Sequence, residues 1–403
     1  MITKEHLLAI ASEHGLLATT VNKDYALGWL LVGIGQHPLL SNWVFKGGTC
    51  LKKAYFDTYR FSEDLDFTIP KSEPYAAEII LKAVKEAAAN TYELSGVEFL
   101  QNEIQVTSSV NKRDKQTLVV KLPFQGPLRQ QNKAIQRITF DITQDEILVD
   151  TPELRTIFHG YSDAPTPPGR VRCYSVNEII AEKTRALYER QGRSRDVYDV
   201  VNISRNFRDE IDADLAKGIL KEKFKFKDLP DPNVDLIFSR IDQELLKQSW
   251  DHQLKHQVPI LPPVESFIAD LRDALRWWID GISAPQIPLV AAQHNGETTV
   301  PRERFSAPYL IQRGPLSDSS SWLNQIRFAA RNQVCVSIKY NGIKRLAEPY
   351  SLRVSGSGNL FVYIFELKRG EAPGGGIKAL SVANIQNIEV TAIAFKPRYK
   401  IEL

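Results

Sequence analysis

The spacing of apolar residues along the chain predicts helices first and a sheet directly after them. Apolar side chains recur at helical intervals through residues 1–42, with a break near Gly15. The apolar run at 43–45 predicts a short buried strand that ends at two glycines, and residues 49–55 then form a short predicted helix. Further predicted elements are a strand at 65–69 and a helix at 75–90.

Between residues 97 and 149 the pattern becomes typical of strands. The predicted strands are 97–99, 118–122, 137–142 and 147–149. Because strands and helices mix here without regular alternation, we predict an α+β fold. The Pro-rich stretch 164–169 marks the predicted end of this core.

The second half of the chain divides into three further parts. Periodic apolar positions predict a helical region over 176–282, and the prolines and serines after it indicate a linker. The last part reads as one helix and then short strands at 334–340, 360–367, 377–380 and 388–395. We therefore predict a core at 1–163, a helical domain at 164–283 that completes the active site, a linker at 284–321 and a small β-rich domain at 322–403.

Composition places the chain among ordinary globular proteins. Its 403 residues include 51 basic and 48 acidic side chains, a formal net charge of +3, so that any basic surface must be local. Three widely separated cysteines, without metal-ligand spacing, predict reduced thiols and no zinc site. Neither a signal peptide nor an apolar run of membrane-spanning length is visible, so we expect a cytoplasmic protein without a membrane partner.

A glycine-containing motif follows the first predicted strand. Lys46, Gly47, Gly48 and Thr49 lie between that strand and a short predicted helix. Paired glycines allow the backbone to approach a phosphate, the helix start offers free N–H groups, and the Thr49 hydroxyl can donate to a phosphate oxygen. Two adjacent glycines usually mark only a turn, but their position between a predicted strand and a predicted helix favours a phosphate site.

Two carboxylates follow on the next strand. Because side chains alternate along a strand, Asp64 and Asp66 share one face, and Asp141 lies between apolar neighbours on another predicted strand. A solvated strand edge is the alternative interpretation. Acids within buried strands are costly unless they hold a cation, so we predict Asp64, Asp66 and Asp141 as ligands of Mg²⁺ or Mn²⁺. The implied chemistry is metal-assisted phosphoryl or nucleotidyl transfer.

A basic helix supplies the third group of candidates. One interpretation of residues 178–190 is a solvated helix with ion pairs four residues apart; the other places Lys183 on a nucleoside triphosphate and nearby arginines on a nucleic-acid backbone. Asp196 and Asp199 share one helix face and could position a base, a hydroxyl or Lys183. The run 223–227 alternates Lys and Phe as single-strand-binding surfaces do, but we favour an element edge with buried Phe side chains.

Four motifs together resemble the AbiEii/AbiGii toxin family over roughly residues 25–280. The motifs are FKGGTCL at 45–51, RFSEDLDF at 60–67, EKTRA at 182–186 and RDVYD at 195–199. The resemblance implies a polymerase-β-like nucleotidyltransferase core, a nucleoside triphosphate substrate, and a toxin of a type IV toxin–antitoxin or abortive-infection system with a cognate antitoxin. It implies phosphate contacts at Gly47, Gly48, Thr49 and Ser62, a triphosphate contact at Lys183, metal at Asp64 and Asp66, and a catalytic or structuring role for Asp199. We also predict Lys46, at the start of the glycine motif, as a nucleotide-binding residue.

The C-terminal residues show a second resemblance. Segments at 322–330, 336–340, 345–352 and 395–399 are similar to a WYL-type domain, which implies a small SH3-like β fold. A structural β domain that docks on the enzyme is the alternative. We expect no catalytic group from this part, because it has no acid cluster able to hold metal.

Three functions compete at this point. The first is a magnesium-dependent nucleotidyltransferase toxin that transfers a nucleotide to RNA, with tRNA as one acceptor because some relatives are thought to use it. The second is a non-catalytic regulator that senses nucleotide or nucleic acid, and the third keeps the chemistry with a protein or small-molecule hydroxyl as acceptor. The presence of Asp64, Asp66 and Lys183 together favours an enzyme over a regulator.

Overall fold

The computed structural model describes residues 1–13, 15–111, 113–129, 135–282, 287–290, 321–355 and 357–403. These residues form two compact units. The first unit contains Met1–Val200 and Asp209–Pro259, and the second contains Val201–Arg208 and the described residues from Ile260 onward. No helix in the described ranges is both long and apolar enough to cross a membrane.

An eight-stranded mixed sheet forms the centre of the first unit. Its strands are β1 (Val44–Lys46), β2 (Asp64–Thr68), β3 (Glu98–Phe99), β4 (Gln105–Val110), β5 (Gln116–Gln125), β6 (Gln136–Thr143), β7 (Glu153–Thr156) and β8 (Arg170–Cys173). Their order is β3-β5-β6-β2-β1-β8-β7, with β4 paired to β5. Together with the helices, this sheet confirms the predicted α+β class.

Nine α-helices begin in the described part of this first unit. They are α1 (Lys4–Glu13), α2 (Ala18–Gln36), α3 (Gly47–Cys50), α4 (Ala77–Ser95), α5 (Val176–Glu189), α6 (Ser194–Asn206), α7 (Ala213–Phe226), α8 (Val234–Ser239) and α9 (Gln243–Leu254). Helix α2 is buried along almost its whole length and packs on α4, so its apolar character on every side reflects a central position. The predicted break near Gly15 separates α1 from α2, and Gly15 has a positive φ of 62°.

The strand predicted at 147–149 is wrong. The backbone N–H groups of Val149 and Asp150 donate to the carboxylate of Glu178, and Lys223 donates to the carbonyl of Ile147. Side chains therefore satisfy backbone hydrogen-bonding groups of this apolar segment, which does not join the sheet. The Pro-rich stretch 164–169 does not end the sheet either, because β8 follows it and pairs in parallel with β1.

The second unit contains its own antiparallel sheet. The unit has two helices, α10 (Val264–Ile279) and α11 (Ser321–Asn332), in its described residues. The strands of its sheet are β9 (Val334–Tyr340), β10 (Ile343–Val354), β11 (Leu360–Arg369), β12 (Ala372–Pro373), β13 (Ile377–Ser381) and β14 (Ile385–Ala394). The strand order is β12-β11-β10-β9-β14, with β13 paired to β11. Apart from 287–290 and the start of α11, the predicted linker at 284–321 lies outside the described residues.

Strand β10 was not predicted because charged residues interrupt its apolar pattern. Three of them are buried: Arg345 pairs with Glu366, and Arg353 pairs with Glu402. The third, Glu348, accepts a hydrogen bond from the Tyr350 hydroxyl at 2.5 Å. Buried charges that are paired in this way look like surface residues in a sequence.

Candidate active site

The two glycines are required by what packs against them. Gly47 has a φ of +78°, and a Cβ added there would lie 2.1 Å from Oδ2 of Asp66. A Cβ at Gly48 would lie 2.7 Å from Nη2 of Arg60 and 3.0 Å from Oγ of Ser62. The close approach of these side chains therefore leaves room only for glycine at the start of α3.

The Thr49 hydroxyl, a predicted hydrogen-bond donor to phosphate, donates to the protein backbone. Its Oγ1 donates to the backbone carbonyl of Asp64 at 2.5 Å, and the side chain is fully buried. The threonine side chain points inward from α3 and ties this helix to the first residue of β2. Thr49 thus fixes the carboxylate strand against the glycine turn.

The three predicted metal ligands lie on neighbouring strands. In the sheet, Lys46 of β1 is opposite Asp66 of β2, and Asp66 is opposite Asp141 of β6. Leu65 and Phe67 are buried on the other face, as the alternation predicts. Only Asp66 is partly buried, whereas Asp64 and Asp141 are exposed, so the expectation of acids embedded in buried strands holds for one residue of the three.

Burial and a neighbouring carboxylate raise the pKa of two of these acids, Asp66 and Asp141. Burial raises the pKa of Asp66 to about 6, with Asp141 adding to the rise and Lys46 and Lys183 opposing it. Partial desolvation and the neighbouring Asp64 raise the pKa of Asp141. Within the described part of the chain, no three His, Cys, Asp or Glu side chains lie close enough together to form a ready-made metal site. The donors still fit a hard divalent cation, since carboxylate oxygens are its preferred ligands and a cation offsets their repulsion.

Lys46 lies among carboxylates. Its Nζ is 3.5 Å from Oε1 of Glu182 and 3.8 Å from Oε2 of Glu146, in addition to its position opposite Asp66. Burial alone would lower the pKa of Lys46, but Glu182 and Glu146 outweigh it and hold that pKa above its usual value. This lysine therefore supplies a fixed positive charge beside Asp66.

Asp199 is the centre of a buried cluster. Nε and Nη2 of Arg60 donate to its two carboxylate oxygens at 2.7 Å each, and Nζ of Lys183 lies 2.8 Å from Oδ2. The Tyr59 hydroxyl donates to Oδ1 at 2.7 Å. Burial works against the charged form, but Arg60 and Lys183 hold the pKa of Asp199 well below its usual value. Of the roles predicted for Asp199, this geometry supports positioning Lys183.

Asp196, the other acid predicted on this helix face, lies beside Arg190. Its Oδ2 lies 3.5 Å from Nε of Arg190, and the carboxylate is buried. It therefore contributes to the packing of α6 and does not contact Lys183.

Similarity to known proteins identifies the family. The model of the family described as nucleotidyl transferase AbiEii toxin, type IV TA system, matches residues 29–280. The chain belongs to the AbiEii family. It is accordingly a nucleotidyltransferase of the toxin type, and AbiEii membership implies a nucleoside triphosphate substrate and a cognate antitoxin.

A solved structure also matches this AbiEii chain. It is MenT4, a nucleotidyltransferase toxin from Mycobacterium tuberculosis, with 18% sequence identity and a TM-score of 0.43. The match covers 70% of this chain and 91% of MenT4. No curated protein matches the chain significantly.

Arg195 of this AbiEii protein begins the motif at 195–199 and was not among the predicted site residues. Its Nε is buried without a hydrogen-bond partner, and it forms no ion pair with any residue in the described ranges. Burial, Arg60 and Arg193 together lower the pKa of Arg195, while Asp199 and Asp64 oppose them. The signal was available in the motif at 195–199, because Arg195 precedes Asp199 by one helical turn.

Helix α5 of the AbiEii core is not the solvated helix that one interpretation proposed. Glu178 and Lys223 are both fully buried, with Oε1 and Nζ 2.6 Å apart, and Arg185 lies 3.4 Å from Glu146. Phe224 is buried, which confirms for this residue the favoured interpretation of the Lys–Phe run. The structure therefore places a layer of paired charges behind Lys46 and Glu182. The burial of Lys223 was not predicted, because a lysine among alternating polar residues looks solvent-exposed in the sequence.

Proposed function

We propose that this AbiEii toxin is a divalent-metal-dependent nucleotidyltransferase of the cytoplasm that transfers a nucleotide from a nucleoside triphosphate to an RNA hydroxyl, with tRNA as one acceptor. The observation that carries the proposal is the side-by-side position of Asp66 and Asp141, next to a turn that Asp66 itself restricts to glycine. Lys183, held by Asp199, adds a positive charge whose effect reaches Asp66.

Asp64, Asp66 and Asp141 are the residues that would hold Mg²⁺ or Mn²⁺. A bound divalent ion supplies the charge that favours the deprotonated acceptor hydroxyl and neutralises the leaving pyrophosphate. Lys46 keeps a positive charge on the other side of Asp66, which limits the repulsion among the acids.

The chain's own donors would bind the triphosphate. The backbone at Gly47 and Gly48 can approach a phosphate closely, and Ser62 lies beside Gly48. Lys183 and Arg195, whose Nε has no hydrogen-bond partner among the described residues, add positive charge. The acceptor oxygen would form a bond to the α-phosphorus as the bond to the β-phosphate oxygen breaks, releasing pyrophosphate and passing the hydroxyl proton to solvent.

We expect metal affinity to fall in acid. Because burial raises the pKa of Asp66 to about 6, a proton competes with the cation below that pH. The apparent affinity for Mg²⁺ should weaken by up to about tenfold for each pH unit below about 6 and change little above it. Calorimetric titration across this range measures it. An affinity that is the same on both sides of pH 6 would place the metal elsewhere.

Replacing Lys183 with alanine should weaken binding of the nucleoside triphosphate by about tenfold to a hundredfold, as expected for the loss of one charged hydrogen bond. The fold should persist, because Arg60 and Tyr59 still satisfy Asp199. Titration of each nucleotide into wild type, Lys183→Ala and the control Lys247→Ala, a half-exposed lysine paired with Glu244, gives the comparison. Equal affinity in all three proteins would remove Lys183 from the nucleotide site.

The proposal is tested by labelling. Purified protein, Mg²⁺ and each nucleoside triphosphate with a labelled α-phosphate are incubated with total RNA and, separately, with total protein. The expected result is labelled RNA that chelation of the metal prevents. Label in protein alone would keep the transfer chemistry and overturn the RNA acceptor.

A further inference from the structure

The face of the sheet that carries Asp141 continues outward over β6 and β5. On β6 the buried residues alternate with Arg137, Thr139 and Asp141, which therefore share the face of Asp66. On β5 the residues opposite Asp141 and Thr139 are Val119 and Lys121. The face is open, since Arg137, Asp141 and Lys121 are all exposed.

The outer strand β4 extends this face and fixes it. Thr107 lies opposite Val119, and its hydroxyl donates to the Val119 carbonyl at 3.3 Å. The hydroxyls of Ser109 and Thr117 share a hydrogen bond of 2.8 Å. Side-chain bonds thus reinforce the pairing of β4 with β5, and backbone pairing joins β5 to β6; we call these three strands the platform.

Apart from Asp141, the charged side chains of this platform are all basic. The three strands contain one acidic residue, Asp141, and two basic residues, Lys121 and Arg137. Neither basic side chain forms an ion pair with a described residue, whereas Lys46, Arg60 and Lys183 are all paired with carboxylates. Two cations that pair with no described residue, on strands whose other side chains apart from Asp141 are uncharged, favour an anionic ligand.

The two basic residues lie at increasing distances from the proposed reactive centre at Asp141. The position of Lys121, level with Thr139, is two residues from Asp141 along the sheet, and Arg137 is four residues away. At the rise of a strand, these steps correspond to about 7 Å and about 14 Å. Lys121 on β5 and Arg137 on β6 therefore lie at successive distances from Asp141 along the strand direction.

We propose that the sheet face carrying exposed Lys121 and Arg137 and half-buried Thr139, which we name the acceptor strip, binds the phosphate backbone of a polynucleotide acceptor whose reactive end lies at Asp141. This inference rests on the proposed function and adds the surface that holds the backbone of the acceptor. Lysine and arginine bind successive phosphates without reading bases, so the strip fixes direction and register of the acceptor.

The test is a double charge reversal, Lys121→Glu with Arg137→Glu, compared with Lys82→Glu and Lys221→Glu, exposed lysines on α4 and α7. In the strip variant the KM for RNA should rise about tenfold or more, and the salt slope of RNA binding should fall by about two. The KM for nucleotide should stay within about twofold, as should every constant of the control.

Two outcomes separate this inference from the function on which it rests. If wild type labels no RNA, the proposed function fails and the strip with it. If wild type labels RNA but the strip variant keeps the wild-type KM for RNA, only the strip is wrong. The neutral pair Lys121→Gln with Arg137→Gln should give an intermediate KM, and circular dichroism confirms folding of each protein.

Discussion

Replacing Asp66 with asparagine is expected to reduce nucleotidyl transfer by about a thousandfold or more. Asparagine keeps the size of the side chain that Gly47 accommodates, but it removes the carboxylate charge between Lys46 and Asp141. Replacing Asp64 with alanine should act in the same direction. Initial rates with labelled nucleotide measure the loss, and Asp214→Asn, an exposed acid on α7, is the control.

The same variant should not lose stability. A carboxyl group whose pKa is raised in the folded protein stabilises it below the unfolded pKa, and this contribution is lost as pH rises through about 6. At neutral pH the charged Asp66 therefore opposes folding, and Asp66→Asn should unfold at the same or higher urea concentration. Wild-type transfer rates in this variant would reject the metal-site assignment.

Replacing Asp199 with asparagine is expected to lower the free energy of unfolding by about 3–5 kcal/mol and to abolish transfer. The change leaves the buried Arg60 guanidinium and Lys183 without their counter-ion. The matched control is Asp270→Asn, which removes a pair with Arg205 at 2.6 Å from a carboxylate that is 39% exposed. That pair is partly solvated, and its loss should cost about 1 kcal/mol or less.

The Asp199 contribution should also depend on pH with a definite sign. Its pKa is lowered in the folded protein, so its stabilisation is present above the unfolded value of about 4 and is lost as pH falls below it. Urea unfolding of wild type and Asp199→Asn should therefore converge in acid. A difference that stays constant down to pH values well below 4 would show that charge pairing is not the cause.

Five strands of the sheet, β1, β2, β3, β5 and β6, and the carboxylates on them could be predicted because their signals are local, whereas β4, β7 and β8 were not predicted. Alternation fixed Asp64 and Asp66 on one face of β2, and the apolar neighbours of Asp141 placed it on a strand. The structure then adds what only pairing of strands can decide, namely that Asp66 and Asp141 are opposite each other.

The charged clusters could not be predicted, because their partners are remote in sequence. Arg60 and Asp199 are 139 residues apart, and nothing near Arg60 indicates that it is buried. Lys223 likewise pairs with Glu178 from a different helix. A buried ion pair shows no apolar pattern of its own, so each member looks like a surface residue until the fold brings both together.

One measurement tests the central claim most directly. Wild type and Asp66→Asn are incubated with RNA, Mg²⁺ and a nucleoside triphosphate labelled in one reaction at the α-phosphate and in another at the γ-phosphate. We expect α-label to appear in RNA with wild type only, and γ-label to leave as pyrophosphate. Incorporation of γ-label into RNA, or equal α-labelling by both proteins, would contradict nucleotidyl transfer at this carboxylate site.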